Sequence, residues 1–163
     1  MEEFRPVQEF QVYSVSDQGR VLNEKTGRIL RLSENQKGVV IAGFMRGGVQ
    51  YKRAVSALVA RTFLPRPKLE AFTHTINKDG DRRNNHAENL EWRPYWFSRK
   101  YHVQFDHRFE MPEIAVADMQ SGAEFASVWD AAMTYGLLVG DILESIDYQT
   151  SVWPTNQRFW RVD

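Results

Sequence analysis

The 163-residue chain has its densest polar chemistry between Phe72 and Trp92. Lys78, Arg82 and Arg83 lie within this segment, and other cations precede and follow it. Lys and Arg side chains at such density are typical of phosphate contacts, because each contact releases counterions condensed on a nucleic acid. This segment therefore predicts binding to DNA or, as an alternative, to structured RNA.

The predicted nucleic-acid-binding residues are all basic and extend over the middle of the chain. They are Lys52, Arg53, Arg61, Lys78, Arg82, Arg83, Arg93, Arg99 and Lys100. The rings of Trp96, Phe97 and Tyr101 lie among the last of these cations and suit stacking on bases or insertion into the minor groove. The alternative makes Trp92 and Trp96 core residues and the arginines ordinary surface. For the cations, the charge distribution favours nucleic-acid binding. For Trp92, we favour packing in the core.

The net charge of zero hides an uneven distribution. Residues 1–110 contain 19 basic and 13 acidic residues, whereas residues 111–163 contain 2 and 8. Opposite signs in the two parts indicate two modules with different partners. Because phosphates repel an acidic surface, we expect residues 111–163 to contact a protein partner or a second copy of the chain.

Composition excludes several classes of protein. The chain has no cysteine, which excludes disulfides and cysteine-ligated metal sites. No apolar run approaches the roughly 18 residues of a membrane span. The first ten residues lack the basic and apolar regions of a signal peptide, so we expect a cytoplasmic protein.

Residue patterns up to Trp92 predict small β elements, one helix and a polar turn region. Residues 10–15 alternate as in a strand, and apolar runs on both sides of Arg46, Gly47 and Gly48 indicate a hairpin. Residues 55–64 have the spacing of an amphipathic helix. Asp79-Gly80 predicts a tight turn, and the two asparagines at 84 and 85 suit the N-cap of a helix over 86–91.

Residues 111–163 predict a second, smaller unit. Strands are expected over 114–118, 124–125 and 159–162. Ser127 suits the N-cap of a helix that ends at Gly136, and a second helix is expected over 139–146.

Three segments resemble motifs of the HNH homing endonucleases of phages and mobile introns. They are YSVSDQGRV at 13–21, VSALVARTF at 55–63 and NKDGDRRNNHAENLEW at 77–92. More weakly, the C-terminal part resembles the helix-turn-helix-like repeat that often follows in this family, at Gly122, Phe125, Ser127, Ala131, Ala132 and Gly136.

The resemblance implies an α+β fold with two domains. Residues 1–110 are expected to form an HNH-like domain in which small β elements lead into a ββα motif at about 70–92. Residues 111–163 are expected to form an acidic helix-turn-helix-like α/β module. An origin in a phage or mobile element, and a place in the bacterial cytoplasm or nucleoid, are implied in the same way.

The resemblance also implies a site at which a histidine acts as general base and an adjacent Asp and a later Asn or His hold one divalent ion. In this sequence the general-base position falls on Asn77, the residue before it is Ile76 and the later metal position is Ser98. Only Asn89, the residue that orients the loop, matches the family pattern. We therefore expect no metal cofactor and a nuclease site without its chemical groups.

One alternative retains activity. His74 lies three residues before Asn77, and a bulge in the strand would bring it to the general-base position. His102 would then serve as the late ligand for Mg²⁺.

Three functions follow from these observations. The favoured one is a DNA-binding protein derived from an HNH nuclease, such as a regulator or a subunit of a nucleoprotein complex. The alternatives are an active metal-dependent nicking endonuclease that uses His74, and a protein-interaction factor.

Overall fold

The structure is a computed structural model that describes residues 1–163. The chain divides into an N-terminal unit, Met1–Tyr95, and a C-terminal unit, Trp96–Asp163. Each unit has its own cluster of buried apolar residues. None of the helices combines the length and the hydropathy that a membrane-spanning helix requires.

The N-terminal unit begins with a four-stranded antiparallel sheet in the order β1-β2-β3-β4. Its strands are β1 (Phe4–Pro6), β2 (Tyr13–Ser16), β3 (Val21–Asn23) and β4 (Arg28–Ile29). The strand expected over 10–15 starts only at Tyr13, because the Phe10 amide donates to the Val7 carbonyl and its ring turns into the core. Gly19 has a φ of 86° in the turn between β2 and β3.

A second sheet and a helix complete the scaffold that precedes the polar segment. The sheet contains β5 (Ser33–Glu34), β6 (Val40–Arg46) and β7 (Val49–Ala54). Gly47 and Gly48 form the predicted turn of the β6–β7 hairpin at positive φ. Helix α1 (Val55–Phe63) follows directly and buries Val55, Leu58 and Val59, as its spacing predicts.

The polar segment lies between the two strands of a third sheet, β8 (His74–Asn77) and β9 (Leu90–Arg93). The helix predicted over 86–91 is wrong: residues Ala87–Asn89 form one 3₁₀ turn, and residues 90 and 91 pair with β8. The next helix is α2 (Tyr95–Gln104). The strand–strand–helix order therefore extends from residue 74 to residue 104 instead of about 70–92.

The C-terminal unit begins with α2, although sequence placed the boundary at 110/111. Buried groups of α2 explain the difference, since Gln104 accepts from the Val139 amide over 3.0 Å and the Tyr101 hydroxyl donates to the Ala132 carbonyl over 3.4 Å. Residues Phe105–Glu110 continue α2 as a 3₁₀ segment. These bonds join α2 to Ala132 and Val139, in the two helices that follow it in the C-terminal unit.

Three short strands and two helices form the rest of the C-terminal unit. They are β10 (Val116–Asp118), β11 (Glu124–Phe125), β12 (Phe159–Arg161), α3 (Val128–Tyr135) and α4 (Val139–Tyr148), with sheet order β11-β10-β12. Ser127 caps α3 by accepting from the Asp130 amide, and Gly136 ends it at a φ of 65°. These elements follow the sequence prediction; a helix-turn-helix function for α3 and α4 remains a prediction.

Candidate functional site

The β8–β9 loop is organised around the carbonyl oxygen of Asn84. Asn77 is 4% exposed, and its side-chain amide donates to the Asn84 carbonyl over 2.8 Å and to Asn85 Oδ1 over 3.1 Å. Asn89 donates to the same carbonyl over 2.8 Å. Asn77, to which the resemblance assigns the general base, is thus a buried amide that donates hydrogen bonds inside the loop.

Asp79 is the second centre of the loop. Its Oδ1 accepts from Asn89 Nδ2 over 2.9 Å, and its Oδ2 accepts from Asn84 Nδ2 over 2.6 Å. Asn89 Oδ1 in turn accepts from the Asp79 backbone amide over 3.1 Å. Because both carboxylate oxygens accept bonds from the loop itself, Asp79 fixes the turn that starts at Asn77. The sequence identified Asp79 only as a turn residue. No local sequence pattern indicates its side-chain bonds with Asn84 and Asn89.

The three sequence motifs meet beside this loop. A Cβ atom on Gly19 would lie 3.1 Å from Asn85 Cβ and 3.5 Å from a methyl of Val55. The Ala87 amide donates to the Asp17 carbonyl over 2.7 Å. The first and third motifs therefore pack closely at Gly19, and Val55 at the start of α1 contacts the same place.

The resemblance assigns the ligands of a divalent ion to positions that hold few suitable donors in this chain. Ile76 is fully buried and apolar, and it offers no lone pair. Asn77 directs its amide hydrogens into the loop, and Ser98 lies buried on α2. No group of three or more His, Asp or Glu side chains is arranged to hold a metal ion. These residues do not fit the ion that the resemblance implies.

The strand bulge that would bring His74 to the assigned general-base position is absent. The pairing of β8 with β9 is continuous from His74↔Arg93 to Asn77↔Leu90, so the strand has no bulge. Residues three apart on a regular strand face opposite sides and lie about 10 Å apart along it. The His74 ring is exposed, 4.8 Å from the Tyr95 ring, and Nδ1 lies 2.9 Å from the Thr73 hydroxyl. His102 is buried on α2, with Nδ1 2.9 Å from the Ser98 carbonyl.

The predicted cations differ in how accessible they are. Lys52, Arg61, Arg83, Arg99 and Lys100 are exposed, whereas Arg53, Lys78 and Arg82 are half-buried. Lys78, Arg82 and Arg83 lie together on the β8–β9 loop. Lys52 is on β7 and Arg61 is on α1. Arg99 and Lys100 are on α2, in the C-terminal unit.

Arg93 is a correction to the predicted set. It is 3% exposed on β9, where its guanidinium donates to the Trp92 carbonyl over 2.7 Å and lies 3.6 Å from a Glu91 carboxylate oxygen. A guanidinium at this depth cannot reach a phosphate. Trp92, for which packing was favoured, is half-buried against the N-terminal core and donates to the Pro65 carbonyl.

Two of the predicted arginines already bind carboxylates. Arg53 pairs with Glu9, and Arg83 pairs with Glu34 through two bonds of 2.8 and 3.3 Å. The Arg53 hydrogen bond holds the pKa of Glu9 below its ordinary value, and the Glu34 hydrogen bond raises the pKa of Arg83. Phosphate would therefore compete with a carboxylate at both sites.

Arg46 is an exposed cation that the predicted set omits. Its guanidinium lies 4.8 Å from the Tyr51 ring centroid and 5.2 Å from that of Phe10. Arg53 approaches the same two rings at 5.8 and 5.4 Å. Arg46 directly precedes the turn glycines of the hairpin, and only this position in the sequence indicates that its side chain is accessible.

Comparison with known proteins gives matches in both sequence and fold. Residues 2–44 match the family model described as the NUMOD4 motif. Two proteins of Acanthamoeba polyphaga mimivirus, named uncharacterized HNH endonuclease L245 and L247, are similar to the chain. L245 is 34% identical over 86 residues, covering 53% of this chain and 25% of that protein. L247 is 31% identical over 150 residues, covering 86% and 36%. The chain thus spans well under half the length of either relative.

The α+β fold also has a solved counterpart. The structure of the HNH homing endonuclease I-HmuI, described with DNA binding and cleavage by that enzyme, superposes with a TM-score of 0.55. The match covers 98% of both chains at 21% identity, so it concerns the fold alone. The predicted fold class is confirmed. The sequence motif and the two curated relatives support an HNH homing endonuclease family for this chain, and the fold agrees with it.

Proposed function

We propose that this chain binds duplex DNA with the scaffold of an HNH homing nuclease and does not cleave it. The observation that carries the proposal is that the Asn77 side chain, to which the resemblance assigns the general base, donates hydrogen bonds to Asn84 and Asn85. An amide nitrogen has no basic lone pair and cannot take a proton from water near neutral pH.

The missing metal ligands support the same proposal. Hydrolysis of a phosphodiester in this family uses a divalent ion to neutralise the phosphate and the leaving oxygen. Ile76 cannot contribute to such an ion, and the carboxylate of Asp79 is bound by Asn84 and Asn89. What the scaffold retains is the hydrogen-bonded β8–β9 loop, on which Lys78, Arg82 and Arg83 lie.

Phosphate contact is assigned to the accessible cations of the N-terminal unit. Lys52 and Arg61 are exposed, and Lys78 and Arg82 lie on the β8–β9 loop. Arg53 and Arg83 join them where phosphate displaces Glu9 and Glu34. In this proposal the whole protein acts as a regulator or as a subunit of a nucleoprotein complex.

The alternatives make different demands on the chain. A nicking enzyme needs His74 beside a bound ion, but the unbroken β8–β9 ladder and the ring contact with Tyr95 argue against it. A protein-interaction factor would use the acidic residues 111–163 and would not need the cations of the N-terminal unit.

Fluorescence anisotropy with a labelled duplex tests the proposal. We expect binding at low salt that weakens steeply as salt is added, and the double variant Lys52→Ala/Arg61→Ala should reduce the log–log salt slope by about 0.9 for each lost contact. Lys25→Ala, which removes an exposed cation outside the predicted set, is the matched control.

Two outcomes would contradict the proposal. Absence of duplex binding at low salt, together with a protein that co-purifies through residues 111–163, would favour the protein-interaction factor. A structured RNA hairpin that competes better than duplex DNA would replace the DNA partner with RNA.

A further inference from the structure

The outer face of α2 combines aromatic and basic side chains. Trp96, Arg99, Lys100 and Val103 are spaced at i, i+3, i+4 and i+7, and all four are exposed. This spacing brings side chains onto one face of a helix. Trp96 is 52% exposed, which is far more than a packing role requires of a tryptophan.

A second tryptophan extends this face. Trp153, from the segment between α4 and β12, stacks on Trp96 with ring centroids 5.4 Å apart and planes inclined by 25°. Buried Phe97 contacts both rings, at 5.6 and 5.8 Å. Trp153 is 40% exposed. The two indoles are therefore fixed from beneath and still present aromatic surface to solvent.

Lys100 supplies a cation over the Trp96 ring of the pair. Its Nζ atom lies 5.6 Å from the Trp96 ring centroid, and Arg99 is the adjacent residue. Residues 101–163 are predominantly acidic, so these two cations are a local exception in the C-terminal unit. Asp141 and Glu144 of α4 are the nearby opposing charges: burial and Glu144 raise the pKa of Asp141, and Lys100 lowers it.

We propose that Trp96, Trp153 and Lys100 form a stacking platform for an unpaired base of DNA, with Lys100 on the adjoining phosphate. An indole offers a wide π-face, and base–aromatic stacking is tolerant of base identity. A base inside a duplex has both faces covered by its neighbours, so the platform selects single strands, gaps or distorted duplex. The choice of DNA rests on the proposed function; the preference for unpaired bases goes beyond it.

Binding to a short labelled oligothymidylate tests the platform, read by anisotropy and by quenching of tryptophan fluorescence. Trp96→Ala and Trp153→Ala should each weaken binding at least about fivefold and reduce the quenching. Trp96→Phe, which keeps a stacking ring, should retain most of the affinity. Trp160→Ala is the matched control, because Trp160 is also 40% exposed, lies on β12 and makes no ring contact with this pair.

Salt dependence measures the contribution of Lys100, and a duplex probe measured in parallel distinguishes the platform from the duplex-binding cations. Lys100→Gln should reduce the salt slope for the oligothymidylate by about 0.7. If both tryptophan variants, shown by circular dichroism to be folded, bind the oligothymidylate like Trp160→Ala, the platform is wrong and the pair is structural. If Lys52→Ala/Arg61→Ala weakens duplex binding but leaves oligothymidylate binding unchanged, the duplex-binding cations and the stacking platform are separate sites. Failure of the wild-type chain on the oligothymidylate alone, with duplex binding intact, overturns the platform and leaves the proposed function standing.

Discussion

Asn77 and Asn89 donate side-chain hydrogens to one acceptor, the carbonyl oxygen of Asn84, each over 2.8 Å. Asn77 ends β8 and Asn89 immediately precedes β9, so the shared acceptor fixes both ends of the loop. The resemblance assigns the general base of the family to the first of these positions. Here the side chain is engaged in holding the loop.

Substitution of Asn77 by aspartate should expose this structural role. Asn77→Asp keeps the shape but directs a carboxylate at two acceptors, the Asn84 carbonyl and Asn85 Oδ1. We expect a loss of about 1–3 kcal/mol in the free energy of unfolding at neutral pH, measured by urea denaturation. Since the protonated acid can donate again, the difference from wild type should narrow in acid. An unchanged stability at neutral pH would contradict the assigned hydrogen bonds.

Gly19 should tolerate no side chain. Gly19→Ala adds a Cβ 3.1 Å from Asn85 Cβ at a φ of 86°, which combines a close contact with backbone strain. We expect the free energy of unfolding to fall by about 1–3 kcal/mol. Gly27→Ala is the control, because its φ of 67° is also positive but no atom lies within 4 Å of the added Cβ. Equal losses in the two variants would mean that the contact with Asn85 is unimportant.

Glu34 should weaken duplex binding by occupying Arg83. Glu34→Gln removes the bidentate carboxylate and leaves the exposed guanidinium available to phosphate. We expect duplex affinity to rise about two- to fivefold, with a steeper salt dependence, measured by anisotropy. Glu70→Gln removes an exposed charge without a pairing arginine and corrects for net charge. A similar gain in both variants would exclude a specific role for the Glu34 pair.

Asp118 should make the C-terminal unit sensitive to acid. Burial would raise the pKa of Asp118, but hydrogen bonds from Ser121, the Gln120 amide and Tyr135 outweigh it and hold the pKa below its ordinary 3.8. A lowered pKa contributes stability above the ordinary value and loses it as pH falls through the lowered one. Asp118→Ala should therefore cost about 1–3 kcal/mol at neutral pH. In urea unfolding the cost should shrink as the pH falls below the ordinary pKa of 3.8; a cost independent of pH would contradict the assignment.

Local patterns were sufficient for the elements that depend on local chemistry. Helix α1 follows from its apolar spacing, the β6–β7 hairpin from two glycines, and α3 from Ser127 and Gly136. In each case the interactions that define the element lie within a few residues of one another.

The β8–β9 loop was harder to predict, because asparagine has more than one structural use. Asn84 and Asn85 have side chains suited to an N-cap, and a helix was expected after them. Their amides instead bond to Asp79 and to the Arg82 carbonyl, in a geometry set by the pairing of β8 with β9. That pairing is a tertiary property with no signal in the local pattern.

Accessibility was the other property that sequence could not provide. Arg93 and Arg99 have the same chemistry, yet one is buried on β9 and the other exposed on α2. Trp96 was considered as a core residue, and the structure leaves half of it in solvent. Which face of an element is covered depends on residues far away in the chain.

A nicking assay tests the central claim most directly. A supercoiled plasmid carrying a duplex selected for binding to this protein is incubated with the wild-type chain and Mg²⁺ or Mn²⁺, and binding is measured on the same plasmid. The account predicts that the plasmid is bound and stays supercoiled. Metal-dependent conversion to nicked circles that is lost in His74→Ala would contradict it, and the chain would then be an active nuclease.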